Sequence, residues 1–450
     1  MTSPASRITC AGCGWTAPDV AAAPYPFRCP AAGDDTDHVL THMLDPTGVA
    51  LARGDDANPF LRHREMFHSY HVARSHGLPD EAYAEIVARL DRAIAGVDGR
   101  GFRLTPFGRQ AALSAQLGFD ASGGVWVKDE TGNVSGSHKA RHLMGIMLYL
   151  RVVEALTPVG GPPAPLAIAS CGNAALAAAV VARAAGRVLS VFVPPHADRA
   201  VLERLRALGA ELTTCPRQPG VRGDPCYHRF REALRNGALP FCCQGSDNGL
   251  TIEGGETLGY EMITGLGVAG GGLDHFVIQV GGGALASACI QALTRAARLG
   301  LLARLPRFHT VQTEGAYPLK RAYDRVVERI QSGRASTAAV LRYAATHRSE
   351  FMWPWEAEPR SVAHGILDDE TYDWLAVVRG MLETGGAPLV VSEETLREAN
   401  ALARSATGIA VDHTGSAGLA GLLQLQREGR VGRGEAVAVI FSGAARPQSA

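Results

Sequence analysis

Lysine is nearly missing from this chain. Of its 44 basic residues, 41 are arginine, and among 450 residues only Lys128, Lys139 and Lys320 are lysine. An excess of charge is missing too. The 44 basic residues are balanced by 44 acidic ones, which leaves no field to attract nucleic acid and no acidic tail. No apolar signal core opens the sequence. The uncharged stretch Pro162 to Val181 is broken by Ser170, Gly172 and Asn173, and so predicts a strand, turn and helix instead of a membrane span. Nine cysteines, with Cys242 adjacent to Cys243, make a poor disulfide framework and point to a reducing, cytoplasmic setting. Abundant glycine and alanine with few aromatics suit a helix-rich α/β enzyme, and the length calls for two or more domains.

Against an arginine background, a retained lysine points to chemistry arginine cannot do. Arginine stays charged at any accessible pH, whereas lysine can lose its proton and condense with an aldehyde. Lys139 lies in Trp126-Val-Lys-Asp-Glu-Thr-Gly-Asn-Val-Ser-Gly-Ser-His-Lys-Ala-Arg-His142. Gly124 to Asp129 predicts a strand, Thr131 to Gly136 a turn, and Ala140 to Val153 a helix with Leu143, Ile146, Met147 and Leu150 on one face. Lys139 thus sits at a helix N-terminus, where the dipole favours the free amine. It reads as a Schiff-base lysine for pyridoxal phosphate. Lys128 and Lys320 are expected to be solvated surface residues.

Cys10, Cys13 and Cys29 have the C-x2-C-x15-C outline of a zinc ribbon. A fourth cysteine should fall near position 32, where Ala32 stands; His38, Asp34, Asp35 or Asp37 are the substitutes, and a relic without metal is the alternative. Thr105-Pro106 predicts a turn before a helix. A β-α alternation follows Lys139. Strands are predicted at 166–170, 188–193, 211–215 and 239–244, and helices at 174–185, 200–209 and 227–236, as in a parallel, doubly wound sheet. The turn Ser170-Cys171-Gly172-Asn173 ends its strand on the side where ligands gather. Glu253-Gly-Gly-Glu-Thr257 opens another helix.

Strand 276–280 then leads into Gly281-Gly282-Gly283-Ala284 and a helix, a phosphate cradle of bare amides and a helix dipole. The same residues match a dinucleotide fingerprint, with Glu314 after the next strand, so a nicotinamide-dependent dehydrogenase is a rival reading. The isolated lysine and the Ser170–Asn173 turn favour pyridoxal phosphate. Residues 321–374 read as an ordinary long connection, with a lid or dimer contact as the alternative. A last buried strand, Ala436 to Phe441, ends at Ser442, whose hydroxyl can meet a pyridine nitrogen.

In this order the pieces resemble the fold type II (tryptophan synthase beta-like) pyridoxal phosphate enzymes, above all the threonine synthase family, with threonine and serine dehydratases and cysteine synthase as relatives. The resemblance runs from about Asn58 onward. Its carriers are Gly136-Ser-His-Lys-Ala-Arg141, Ser170-Cys-Gly-Asn173, Glu253-Gly-Gly-Glu-Thr257, Gly281–Ala284, Gln312-Thr-Glu-Gly-Ala-Tyr-Pro-Leu319 and Ala363-His-Gly-Ile366, preceded by the cysteine ribbon. It implies an α/β protein with two doubly wound, three-layer domains. Residues 1–44 would form the ribbon-like arm, 45–138 with 255–450 the large cofactor-binding domain, and 139–254 a small mobile domain. By the same resemblance, Lys139 holds the cofactor and shuttles the α-proton. Asn173 meets the phenolic oxygen, Gly281, Gly282, Gly283 and Ala284 bind the phosphate, and Ser442 the ring nitrogen. Ser170, Cys171, Gly172 and Asn173 hold the carboxylate of an amino-acid substrate. A homodimer is implied, with no nucleic-acid or membrane partner. The sequence departs from the family at His138, Ala140 and Cys171, which stand where phenylalanine, aspartate and serine are usual. These departures leave the substrate open: O-phosphohomoserine first, then dehydratase or β-replacement chemistry. A paralogue that binds cofactor without turnover is the remaining reading.

Overall fold

The computed structural model describes residues 5–33, 35–45, 47–157, 162–217, 223–269, 271–333 and 335–446. Its strands, in chain order, are β1 (Ser6–Cys10), β2 (Leu40–Leu44), β3 (Phe107–Arg109), β4 (Gly124–Asp129), β5 (Leu166–Ala169), β6 (Leu189–Val193), β7 (Glu211–Thr214), β8 (Leu239–Pro240), β9 (His275–Gln279), β10 (Arg307–Thr313), β11 (Pro388–Val391) and β12 (Ala436–Phe441). β1 and β2 form an antiparallel ribbon. A six-stranded sheet runs β11-β10-β9-β12-β4-β3, parallel except for the edge strand β3. A four-stranded parallel sheet runs β7-β6-β5-β8.

Both sheets are wrapped by helices, because their strands are apolar on both faces. In the large sheet the alternation is plain. Phe276, Ile278, Ala438 and Ile440 face one core with Leu258, Leu293 and Trp374. Val277, Val437, Val439 and Phe441 face the other with Leu396 and Leu422. In the small sheet the Asn173–Ala184 helix is buried along most of its length, as its alanine-rich sequence permits. Parallel strands carry their C-terminal ends to one edge, so the loops after β4, β9 and β12 emerge together.

The structure corrects several expectations. Lys128 is fully buried and pairs with Glu261, where a solvated lysine was expected. Strand alternation explains it: Lys128 shares a face with Trp126, on the side covered by the Thr251–Ala269 helix. The strand expected over 239–244 stops at Pro240, which has no N–H for the ladder and whose carbonyl is taken by Asn248 Nδ2 at 2.7 Å. The short strand β3 intervenes between the Thr105-Pro106 turn and its helix, Ala111–Gln116. The 321–374 connection contains helices Pro318–Gln331 and Thr337–Thr346 before its irregular part.

Candidate functional site

The Lys139 loop is built from turn chemistry and then fastened to the end of β12. Asn133 caps the turn through its own carboxamide oxygen and the Val134 amide, 2.8 Å. Ser135 (φ +56°) and Gly136 (φ +71°) are both left-handed and reverse the chain. The Ser135 amide is held by Asp98 Oδ2 at 2.9 Å. Ser137 then bridges to Gly443, the His138 amide donates to the Ser442 carbonyl at 3.0 Å, and the Ala444 amide to the Gly136 carbonyl at 2.8 Å. Lys139 follows as the first residue of the Lys139–Leu156 helix. Its amine is half-buried and has no hydrogen-bond partner among the described residues. Its charge acts on His138, His142, Cys243, Asp368 and Asp373. Burial, and after it the Lys139 charge, pushes His138 and His142 well below the usual imidazole range, so both are neutral. The two rings meet edge-on at 5.6 Å.

Ser442 is buried, and its Oγ accepts from Gln279 Nε2 at 2.8 Å. The hydroxyl proton is thereby directed away from Gln279 and left to donate into the site. The same Nε2 also lies 2.9 Å from the Gly415 carbonyl and 3.1 Å from the Ile440 carbonyl, so its two hydrogens are shared among three acceptors. Gln279 escaped the sequence reading. A lone polar residue in Phe276-Val-Ile-Gln-Val280, two positions before the glycine loop, was the available signal.

The Ser170–Asn173 turn comes from the other sheet. Gly172 N approaches Ser170 Oγ at 3.4 Å, and Asn173 starts its helix. A Cβ on Gly443 would stand 2.9 Å from Asn173 Nδ2, so the end of β12 approaches the start of the Asn173–Ala184 helix closely here. Cys171 is partly buried. Its thiol is pushed up by burial and then by Asp224 and Asp368, which keeps it protonated.

The glycine loop follows β9. Gly283, at φ +96°, precedes the Ala284–Arg298 helix. Cβ atoms on Gly281, Gly282 and Gly283 would lie 2.3 Å from Asp368 Oδ2, 2.9 Å from the Tyr372 ring and 2.9 Å from Thr371, respectively. Ile366, from the Ala363–Ile366 motif, packs on Gly281. Gln312 in its own motif caps a helix instead, with Oε1 accepting from Leu319 N (2.9 Å) and Lys320 N (3.1 Å). A phosphate-bearing cofactor fits this donor set: bare amides at a helix N-terminus, a free amine, and an oriented serine hydroxyl. Asp373 lies beside it, pushed up to about 7 by burial and by the nearby Asp37.

At the ribbon, Cys10, Cys13, Cys29 and His38 bring four ligand atoms within 4.8 Å of one another. Cys13 and Cys29 Sγ are 3.7 Å apart, and Cys10 Sγ is 3.2 Å from His38 Nδ1. The other substitutes are engaged elsewhere or undescribed. Asp35 accepts from Ser349 N at 2.8 Å, Asp37 is buried beside Arg348, and Asp34 lies outside the described residues.

Residues 100–443 match the family described as "Pyridoxal-phosphate dependent enzyme". Threonine synthase of Mycobacterium tuberculosis (strain ATCC 25618 / H37Rv) is 26% identical over 363 residues, 80% of this chain and 87% of that protein. Threonine synthase of Methanosarcina acetivorans is 27% identical over 350 residues, 75% of this chain and 74% of that protein. Among solved structures, a threonine deaminase from T.th. superposes with a TM-score of 0.57 at 24% identity, covering 81% of this chain and 99% of its own. Maize serine racemase superposes with a TM-score of 0.56 at 17% identity, covering 81% and 93%. The fold is therefore that of the fold type II enzymes, and the chain belongs to the pyridoxal-phosphate-dependent enzyme family.

Proposed function

We propose that this protein is a lyase acting on an amino acid with a leaving group at the β or γ carbon, with Lys139 as its catalytic base. The observation that carries the reading is the meeting of three loops. His138, next to Lys139, donates to the Ser442 carbonyl at 3.0 Å, and Asn173 packs on Gly443. When bound, pyridoxal phosphate supplies an aldehyde and an electron-withdrawing ring that stabilises negative charge at the substrate Cα. The residues around it divide the remaining work. Lys139 holds the cofactor and, once released, takes and returns the proton at Cα. The Ser442 hydroxyl, oriented by Gln279, meets the ring nitrogen without giving it a full proton. Asn173 meets the phenolic oxygen, and the amides of Gly281, Gly282, Gly283 and Ala284 hold the phosphate. The amides of Ser170, Cys171, Gly172 and Asn173 orient the substrate carboxylate.

The similarity to threonine synthases supports O-phosphohomoserine as substrate, with threonine and phosphate as products. A dehydratase or β-replacement reaction is the second reading. Burial, and after it Asp224, pushes Asp369 up to about 6, with Asp368 and Glu370 adding to the effect and Arg217 opposing it. That lining suits a neutral leaving group better than a second phosphate. Incubating holoenzyme separately with O-phosphohomoserine, threonine and serine, and assaying phosphate, threonine, ammonia and 2-oxoacid, tests both. Phosphate with threonine supports the first, ammonia with 2-oxoacid the second, and no turnover on any amino acid tried would favour a binding paralogue.

We further propose that zinc occupies the Cys10, Cys13, Cys29 and His38 cluster. Tetrahedral thiolate ligands about 2.3 Å from zinc lie roughly 3.8 Å apart, close to the Cys13–Cys29 spacing of 3.7 Å. A reducing, cytoplasmic setting suits the nine free cysteines. No helix of the described residues is long and apolar enough to cross a membrane. A homodimer, and movement of residues 139–254 against the rest, complete the reading and are tested by sedimentation and by comparing scattering with and without substrate.

A further inference from the structure

The cysteine ribbon reaches beyond its four ligands. His38 is preceded by Asp35 and Asp37, and both fasten onto the end of the Thr337–Thr346 helix and the turn that follows it. The Arg348 amide donates to the Asp35 carbonyl at 2.7 Å, the Ser349 amide to Asp35 Oδ1 at 2.8 Å, and the Asp37 amide to the Ala345 carbonyl at 2.7 Å. The Asp37 side chain is buried, within reach of the Arg348 charge. Arg348 in turn pairs with Glu370. Phe351, whose amide donates to the Arg348 carbonyl at 2.9 Å, stacks on Trp374 with ring centroids 5.9 Å apart. Between Glu370 and Trp374 the chain lies along the glycine loop. Thr371 Oγ1 donates to the Gly281 carbonyl at 2.9 Å, the Asp373 amide donates to the Gly282 carbonyl at 3.2 Å, and a Cβ on Gly283 would stand 3.2 Å from that of Asp373. An unbroken series of contacts therefore runs from His38 to the phosphate cradle.

The other flank of the ribbon leads to the same place. The Gly249 amide donates to the Phe27 carbonyl at 3.2 Å, and a Cβ on Gly249 would strike the Leu40 carbonyl oxygen. Phe27 and Leu40 stand two residues from Cys29 and His38. In the same loop Gly245 packs on the Asp373 carboxylate. Asp373 is thus set from two directions by chain that the ribbon holds, and coupling between distant sites travels through packed contacts of this kind. Two five-residue strands are a marginal unit by themselves. Closing Cys10, Cys13, Cys29 and His38 on one ion fixes the ribbon, and with it Asp35 and Asp37. When the ribbon loosens, the Arg348–Glu370 pair and the Phe351–Trp374 stack persist, so position is lost and the fold is kept. A ligand senses that position only through its phosphate.

We propose that Asp35, Asp37 and Arg348 are positioning residues for the cofactor phosphate, and that zinc in the Cys10, Cys13, Cys29 and His38 cluster tightens the cradle through them. The proposal rests on the readings of Gly281–Ala284 as the phosphate cradle and of the cluster as a zinc site. Coupling between two binding sites is reciprocal, so the cofactor phosphate tightens zinc by the same factor. Part of the 321–374 excursion thereby acquires a role, which is to carry the ribbon's position to the glycine loop.

The experiment is equilibrium titration of the full chain, freed of cofactor, with pyridoxal 5'-phosphate and with pyridoxal, which lacks the phosphate, followed by visible absorbance. Wild type and Arg348→Gln are compared, each loaded with zinc and each stripped by a chelator. Zinc is expected to tighten pyridoxal 5'-phosphate binding by wild type about tenfold and to leave pyridoxal binding unchanged. Wild type alone supplies a second readout. In competition with a chelator, zinc is expected to be held about tenfold more tightly when pyridoxal 5'-phosphate is bound, and no more tightly with pyridoxal. Arg348→Gln is expected to bind pyridoxal 5'-phosphate equally with and without zinc. Equal affinity of zinc-loaded and zinc-free wild type for pyridoxal 5'-phosphate, an equal loss of pyridoxal binding, or a full zinc effect in Arg348→Gln overturns the proposal while leaving both readings in place. A wild type that takes up no zinc overturns the zinc reading, and one that binds zinc but no pyridoxal 5'-phosphate overturns the cradle. The proposal falls with either.

Discussion

Lys128 and Glu261 form an ion pair in which neither side chain reaches solvent. Arg141 binds the other oxygen of Glu261 and also Glu130 at 2.8 Å, and Lys128 Nζ donates to the Thr105 carbonyl at 2.7 Å. Two cations and two carboxylates therefore neutralise one another between β4 and the Thr251–Ala269 helix. Burial alone would raise Glu261, but Arg141 and Lys128 together hold it below the ordinary carboxylate range. Replacing Lys128 with methionine leaves Glu261 with Arg141 as its one cation and the Thr105 carbonyl without its donor. The expected loss is about 3 kcal/mol, read as a lower urea midpoint with unchanged slope. A midpoint within error of wild type would show the pair to be energetically idle.

Lys139 is the only lysine placed at the meeting point of the three loops. Holoenzyme is expected to absorb at about 410–425 nm, with a band that borohydride abolishes while fixing the cofactor to the chain. Lys139→Ala should lack the band and lose activity by about a thousandfold or more. A borohydride-resistant protein, or a variant with an unchanged spectrum, would remove Lys139 from its role.

The ribbon cluster makes a metal prediction. Protein purified without chelator is expected to carry about one zinc per chain. Cys29→Ala should carry almost none, and His38→Ala should bind more weakly and release zinc to a mild chelator. Cobalt replacement gives a separate check, because tetrahedral thiolate sites colour strongly. A zinc-free wild type refolded in excess zinc would mark the cluster as metal-free.

Glu253 lies buried, with Oε2 3.4 Å from His42 Nδ1 and the nearby Glu256 adding to its strain. Burial, ahead of any neighbour, pushes its carboxyl up to about 8, against an ordinary value of 4.5. Between these values the folded chain keeps a proton that the unfolded chain has released, so this group makes stability fall as pH rises from about 4.5 to 8. Glu253→Gln cannot ionise. Its urea midpoint, compared with wild type from pH 5 to pH 9, is expected to fall less steeply with pH. Parallel curves would show that Glu253 ionises as an ordinary carboxyl.

Periodicity and punctuation alone determined much of this protein. Alternating apolar strands and helices made the parallel, doubly wound sheets legible, and β12 lies where its apolar run places it, Ala436–Phe441. The strand-loop-helix setting of Lys139 and the glycine-helix junction at Gly283 were legible for the same reason: each depends on residues adjacent in sequence. Tertiary structure decided the rest, because it depends on which faces meet. Lys128 looked like any surface lysine until strand parity turned it under the Thr251–Ala269 helix. Gln279 acquired a purpose only when β12 was laid beside β9 and brought Ser442 to it. His38, among four candidates, reached the cysteines because pairing of β1 with β2 returns the chain to Cys10. Asp368, nearly ninety residues beyond the glycine loop, faces it only after the chain has crossed β10 and two further helices. Burial and charge act through space, and those relationships exist only once the chain is folded.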